Sequence, residues 1–144
     1  MTDLHAIILE KCKKAGLRRT KSLSALLETL IEASAPATLA ELAESKKMAN
    51  MCDKVTVYRL LQRLEDKGVV RRLGLHERSA YFALIHPGQH CTDYLICTEC
   101  NSIEPIKAAC PVHALEREIA ESSGFQNLYH ELEFFGVCPE CVAS

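Results

Sequence analysis

Apolar residues recur at helical spacing near the start of the chain. They lie three or four positions apart across residues 4–15 and again across residues 21–33, and Gly16 separates the two stretches. Such spacing places apolar side chains on one face of a helix, and glycine commonly follows the end of a helix. The pattern therefore predicts two amphipathic helices.

Capping residues predict two more helices. Thr38 and Glu41 have the spacing of a capping box, so a short helix is expected to run to about Lys47. Asp53 is the expected N-cap of a fourth helix, which Gly68 ends. The apolar side chains of this fourth helix must face a core. Its remaining surface carries hydrogen-bonding and cationic groups: Lys54, Thr56, Tyr58, Arg59, Gln62 and Arg63.

Two strand-like runs follow the fourth helix, at residues 69–73 and 79–85, and predict a hairpin. This order is typical of a winged-helix domain: a short helix, a turn, a polar helix and a hairpin. The polar helix of such a domain is the recognition helix, which enters the major groove of DNA. Arg71, Arg72 and Arg78 would then lie near a phosphate backbone. The alternative for the helix and for these arginines is an ordinary solvated surface.

The rest of the chain alternates strand and helix patterns. A strand is predicted at residues 102–106, a helix at 112–122 and a second strand at 127–137. The sequence thus predicts an α+β protein with a winged-helix domain at residues 1–85, a hinge at 86–92 and a small α/β domain at 93–144.

Charge divides the chain in the same place. Residues 1–85 hold 15 Lys+Arg against 10 Asp+Glu, a net charge of +5, whereas residues 86–144 hold 2 against 9, a net charge of −7. A basic half suits phosphate backbones, and an acidic half rich in cysteine and histidine suits cations. Apolar runs are too short to span a membrane, and the first residues lack the order of a signal peptide, so we expect a cytoplasmic protein without a membrane partner.

Two Cys-x-x-Cys pairs are the strongest chemical signal: Cys97 and Cys100, and Cys138 and Cys141. Two such turns can complete the tetrahedral thiolate shell that Zn²⁺ accepts, and eight cysteines in a reducing compartment favour metal ligation over disulfides. A structural zinc ion is predicted, which would join the last strand to the first. The alternatives are a thioredoxin-like redox pair or independent buried cysteines. A zinc enzyme would need an open coordination position, so we expect no enzymatic activity.

Further metal donors lie near the predicted hinge. Residues 86–93 contain two histidines, a thiol and a carboxylate beside a Pro-Gly step. His130 lies among apolar residues of the last strand, where it could be a buried core residue or a ligand. A cluster of Asp93, His113 and His130, with Cys91 nearby, is therefore a candidate second metal site.

The chain resembles the ferric-uptake-regulator superfamily over nearly its whole length. The resemblance is carried by A-G-L-R-x-T at 15–20, T-V-Y-R-x-L at 56–61, D-Y-L-I-C-x-x-C at 93–100 and the terminal C-x-x-C. It implies a homodimer, a structural four-cysteine zinc and a second metal whose occupancy sets the affinity for operator DNA. It also implies that Tyr58 and Arg59 contact DNA.

One departure from the family pattern concerns the sensed metal. The histidine run of iron-type members is H-C-T-D-Y here, which removes three histidines. A thiol within reach favours a softer ion such as Zn²⁺. The preferred sensor set is His76, His90, Cys91 and Glu104, and Cys91 could instead belong to the Asp93 group. Three cysteines are interpreted as bystanders: Cys12, Cys52 and Cys110.

Together these features predict a metal-dependent repressor that senses zinc and binds double-stranded operator DNA as a homodimer. The expected DNA contacts are Lys54, Thr56, Tyr58, Arg59 and Arg63. The alternative is a peroxide-, thiol-redox- or iron-responsive regulator on the same scaffold, with Fe²⁺ or Mn²⁺ as the regulatory ion in place of Zn²⁺.

Overall fold

The computed structural model describes residues 2–33, 35–74, 80–85, 93–106, 109–126 and 128–144. The chain forms two compact units, Met1–Pro87 and Gly88–Ser144. The predicted boundary, the hinge at residues 86–92, lies outside the described residues. Each unit has its own small sheet, and no helix within the described ranges is long and apolar enough to cross a membrane.

Four helices form most of the first unit: α1 (Thr2–Lys14), α2 (Lys21–Glu32), α3 (Leu39–Glu44) and α4 (Lys54–Asp66). Gly16 separates α1 from α2 with a positive φ of 86°, a conformation that glycine adopts without a steric penalty. Thr38 and Glu41 form the predicted capping box, in which side chain and backbone bond reciprocally at 3.1 and 2.9 Å. The four predicted helices are therefore present, although α3 ends at Glu44 rather than at Lys47.

The sheet of the first unit contains β1 (Ala37–Thr38), β2 (Val70–Leu73) and β3 (Tyr81–Leu84), in the order β1-β3-β2 with antiparallel pairing. β2 and β3 are the predicted hairpin, and we call them the wing. Strand β1 was not predicted. Helices and sheet close over one apolar core, whose most deeply buried members include Ile8, Leu26, Leu27, Leu42, Met48, Val57, Leu61, Leu64 and Val69. This element order and core are those of a winged-helix unit.

The second unit contains β4 (Tyr94–Cys97), β5 (Ile103–Pro105), α5 (His113–Ser123), β6 (Glu133–Gly136) and α6 (Pro139–Ala143). The strand order is β5-β4-β6, with β4 antiparallel to β5 and parallel to β6. Tyr94, Ile96 and Cys97 on the central strand are buried. The predicted strand at 102–106 and helix at 112–122 match β5 and α5 within one residue at each end.

Two expectations for the second unit were wrong. Strand β4 was not among the predicted strands; it is the central strand of this sheet, and β6 pairs with it in parallel. The strand predicted at 127–137 covers only Glu133–Gly136, because the described residues before it bring His130 against Cys110 and Glu116 instead of extending the ladder.

Candidate metal centre and nucleic-acid interface

Helix α4 presents the polar face predicted for a recognition helix. The Asp53 carboxylate caps it by accepting from the Thr56 backbone N–H at 2.8 Å, and this hydrogen bonding with Thr56 holds the pKa of Asp53 below its usual value. Val57, Leu61 and Leu64 are buried. The five residues expected to contact DNA are accordingly on the outer side of the helix: Lys54, Arg59 and Arg63 are exposed, and Thr56 and Tyr58 are half-buried.

Two wing arginines do not lie where the sequence suggested. Arg71 is buried, with 5% of its surface exposed. Arg72 donates to Glu65 Oε1 at 3.0 Å, interacts with the Tyr58 side chain and lies over the Phe82 ring at 5.4 Å. Their expected role beside a phosphate backbone is therefore corrected, because Arg71 is buried and Arg72 is paired with Glu65 and packed on Phe82. Arg78 lies outside the described residues.

The two Cys-x-x-Cys pairs converge as predicted. Parallel pairing of β4 and β6 sets Cys97 beside Gly136, so both pairs begin at the same end of the sheet. All four Sγ atoms lie within 4.8 Å of one another, and the Cys97–Cys141 and Cys100–Cys138 separations are both 3.8 Å. Four sulfurs on a tetrahedral Zn²⁺ at about 2.3 Å would be about 3.8 Å apart. The donor set therefore fits a structural zinc ion.

Hydrogen bonds prepare Cys97 for this role. Its Sγ accepts from the backbone N–H groups of Cys100 and Cys138 at 3.4 and 3.3 Å, and from that of Glu99 at 3.4 Å. These bonds stabilise the thiolate and lower the pKa of Cys97 to about 6. N–H groups aimed at a sulfur are suited to a thiolate ligand that keeps a negative charge.

The other thiols show why a cation is needed. Hydrogen bonding to Ser102, whose Oγ lies 3.2 Å from the sulfur, lowers the pKa of Cys100. Contacts with the Cys138 and Cys100 thiols raise the pKa of Cys141 to about 12. Four thiolates this close repel one another, so a doubly charged ion would allow all four to ionise together.

A second group of donors lies at the other end of β4. Oxygen, sulfur and nitrogen atoms of Asp93, Cys110 and His130 all lie within 4.8 Å of one another, and we call these three residues the Asp93 cluster. Cys110 Sγ is 3.0 Å from His130 Nε2, and His130 Nδ1 contacts the Glu116 carboxylate. Asp93 is only 4% exposed. The cluster combines three types of metal donor in one partly buried place.

The membership of this cluster differs from the sequence-based expectation. Asp93 and His130 come together as expected, but within the described residues the third donor of this group is Cys110 rather than His113. The structure thus places Cys110, interpreted from the sequence as a bystander, in a group of potential metal donors. One sequence signal could have identified Cys110 as a potential donor. It lies just before α5, whose first turns carry Glu116.

The preferred sensor set remains a prediction. His76, His90 and Cys91 lie outside the described residues. Its fourth member, Glu104, is an exposed residue of β5, opposite Leu95 in the strand register.

A winged-helix unit with a basic helical face, followed by a unit with a four-thiol metal site, defines a metal-responsive transcription regulator. Comparison with known proteins agrees. The model of the Ferric uptake regulator family matches residues 14–135, and the chain belongs to this family.

Two relatives show the range within the family. The ferric uptake regulation protein of Escherichia coli (strain K12) is 33% identical over 143 residues, covering 97% of this chain and 91% of the relative. The zinc uptake regulation protein of Mycobacterium tuberculosis (strain ATCC 25618 / H37Rv) is 30% identical over 130 residues, covering 88% and 96%.

Solved structures support the fold. The Helicobacter pylori ferric uptake regulator superposes with a TM-score of 0.68 at 21% identity, covering 97% of this chain and 95% of that one. The regulator from Pseudomonas aeruginosa, solved with manganese, gives a TM-score of 0.69 at 22% identity, covering 92% and 98%. Identity at this level supports the shared fold alone.

Proposed function

We propose that this protein is a repressor, not an enzyme, whose binding to operator DNA depends on zinc. The Asp93 cluster is the observation that carries the proposal. It is a metal-donor group separate from the four-cysteine site, so one ion can stabilise the second unit while another reports the metal supply. A thiol among its donors favours zinc over Fe²⁺ or Mn²⁺.

Regulation requires that the second ion distinguish two states of the protein. An ion that binds the DNA-competent state more tightly shifts the population toward that state. Couplings of this kind are typically about 1–3 kcal/mol, which corresponds to a change of about 5- to 150-fold in DNA affinity. Loss of the ion would then release the operator. The predicted sensor residues His76, His90, Cys91 and Glu104 remain candidates for the same role.

DNA recognition is assigned to the outer face of α4. Lys54, Arg59 and Arg63 are exposed cations that can neutralise phosphates or donate to guanine, and Thr56 and Tyr58 supply hydroxyl groups. The net charge of +5 over residues 1–85 supports an approach to duplex DNA.

A homodimer is proposed because apolar side chains of the second unit stay exposed in the single chain. Leu95 and Phe134 are neighbours in the β4–β6 register and are 47% and 46% exposed. Exposed apolar surface of this kind is typical of an interaction site. A second copy of the chain would cover it and supply two recognition helices for two operator half-sites.

Operator binding with and without added metal tests the proposal. A duplex selected from a random pool would be titrated with protein that retains its structural zinc after mild chelation. Added Zn²⁺ should raise affinity by at least about fivefold, and the same concentrations of Mn²⁺ should raise it less. Equal affinity with and without Zn²⁺ would contradict a zinc-dependent repressor.

Iron or thiol-redox sensing is the second candidate. The Escherichia coli relative is named for ferric uptake, and the contact between Cys110 and His130 places a thiol beside a base. Peroxide treatment followed by mass analysis distinguishes a redox sensor from a zinc sensor. A redox sensor would lose operator binding as oxygen is added to a cysteine or histidine. A zinc sensor would keep its metal dependence under mild peroxide.

A further inference from the structure

We propose that Cys110 is a metal ligand and the residue that makes the second site select zinc. This inference rests on the proposed function and assigns metal selectivity to one side chain. The geometry supports it because three separate segments contribute one donor each: Asp93 precedes β4, Cys110 precedes α5 and His130 lies between α5 and β6.

Glu116 determines which nitrogen of His130 faces the cluster. The Glu116 carboxylate, one turn into α5, contacts Nδ1, which leaves Nε2 directed toward Cys110 Sγ. A carboxylate bonded to the far nitrogen of a ligating histidine fixes the ring orientation and increases its basicity. Glu116 is therefore a positioning residue, and Nε2 is the donor atom.

The backbone around Asp93 is also held in place. The Asp93 carbonyl accepts from the Ile106 N–H at 2.8 Å, which ties it to the end of β5. The next residue, Tyr94, donates to the Leu132 carbonyl at 3.3 Å, in the segment that carries His130. These two hydrogen bonds fix the backbone on both sides of β4 where the metal would bind. Binding therefore requires only small movements of side chains.

Metal binding requires Cys110 and His130 to move apart only slightly. Cys110 Sγ and His130 Nε2 are 3.0 Å apart, whereas sulfur and nitrogen ligands of one tetrahedral Zn²⁺ are about 3.5 Å apart. Opening the pair by about half an ångström admits the ion. A sulfur, a nitrogen and an oxygen donor together suit Zn²⁺, whereas Mn²⁺ and Fe²⁺ sites in proteins rely more on oxygen and nitrogen.

Cobalt and zinc titrations of the full chain test the assignment. The chain would retain its structural zinc, so that added Co²⁺ does not report the four-cysteine site. The wild type should show sulfur-to-cobalt charge-transfer absorption, and Cys110→Ser should lose it. Cys110→Ser should also weaken Zn²⁺ binding at least about tenfold while changing Mn²⁺ affinity less. Cys52→Ser is the matched control and should behave as the wild type.

Two more variants sharpen the result. Cys110→Asp, which replaces sulfur with oxygen, should narrow the preference for Zn²⁺ over Mn²⁺. Glu116→Gln should keep the sulfur-to-cobalt band but weaken binding about 10- to 100-fold. A band that persists in Cys110→Ser would overturn the inference, because another thiol would then hold the ion. If Cys110 binds zinc but the affinity for operator DNA does not change when zinc binds, the proposed function fails and the assignment of Cys110 as a ligand stands.

Discussion

At the scale of single residues, Cys97 is the thiol best prepared to hold a metal. Three backbone N–H groups point at its sulfur, and its pKa is lowered to about 6. An unfolded cysteine keeps its ordinary pKa, so the Cys97 contribution to stability is present above that ordinary value. It is lost as the pH falls through about 6.

We expect structural zinc to be released on acidification. Protons compete with the ion for thiolates, so zinc per chain should stay constant at about pH 8 and fall between about pH 6 and pH 5. Elemental analysis after gel filtration at each pH measures this, with circular dichroism to follow the second unit. Full zinc retention well below pH 5 would contradict thiolate ligation controlled by Cys97.

The sequence predicted the four-cysteine site because the two cysteines of each Cys-x-x-Cys turn are close in the chain, at the spacing of ligands to one ion. Cys110 was missed for the opposite reason. It has no second cysteine at ligand spacing, and its neighbours Asp93 and His130 reach it only through the pairing of β4 with β6 and the position of α5. Such contacts depend on tertiary structure, which a linear pattern does not contain.

At the scale of elements, Arg72 connects the wing to the recognition helix. It comes from β2, lies over Phe82 of β3, donates to Glu65 of α4 and interacts with the Tyr58 side chain of the same helix. We therefore expect the wing to support DNA binding by positioning the Tyr58 side chain rather than by contacting phosphate through Arg72.

Replacing Arg72 should weaken operator binding without unfolding the protein. Arg72→Met keeps an apolar stem over Phe82 but removes the interaction with Tyr58 and the hydrogen bond to Glu65, which typically contributes about 1 kcal/mol. We expect operator affinity to fall about fivefold to tenfold. Fluorescence anisotropy with the selected duplex measures this.

The control for lost positive charge is Lys67→Met, at the exposed end of α4. If both variants weaken binding equally, the effect belongs to net charge and the positioning role of Arg72 is wrong.

Local signals predicted the helices well, since the Thr38 and Asp53 caps mark where α3 and α4 begin. The short strands were harder. β1 has two residues and is a strand only because it pairs with β3. The residues before β6 alternate like a strand, but the contacts of His130 take them out of the ladder.

At the scale of the whole molecule, the two units have separate chemistry. The first is basic and has a continuous apolar core, whereas the second is acidic, and within its described part α5 has no buried residue. Apolar side chains of α5 and of the sheet stay exposed. We therefore expect the stability of the second unit to depend on both the structural metal and a partner chain.

We expect Phe134→Ser to weaken the homodimer. Phe134 lies beside Leu95 on the exposed face of the β4–β6 pair, and removing its ring deletes apolar contact area from the proposed interface. Light scattering coupled to gel filtration should show dissociation at a concentration at least about tenfold higher than for the wild type.

Ile7→Ser removes an apolar side chain that is 51% exposed in the first unit, and it should leave the dimer unchanged. A dimer that is equally stable in Phe134→Ser would place the interface elsewhere.

The parallel pairing of β4 and β6 also has a consequence for biosynthesis. Half of the zinc donors emerge early in the second unit and the other half only with Cys138 and Cys141, after β5, α5 and β6 have been made. A chain cut short before Cys138 would retain only two of the four zinc-site thiols, too few to enclose the ion. Zinc can thus be fully enclosed only when translation has delivered nearly the whole second unit, which is the proposed dimerisation domain.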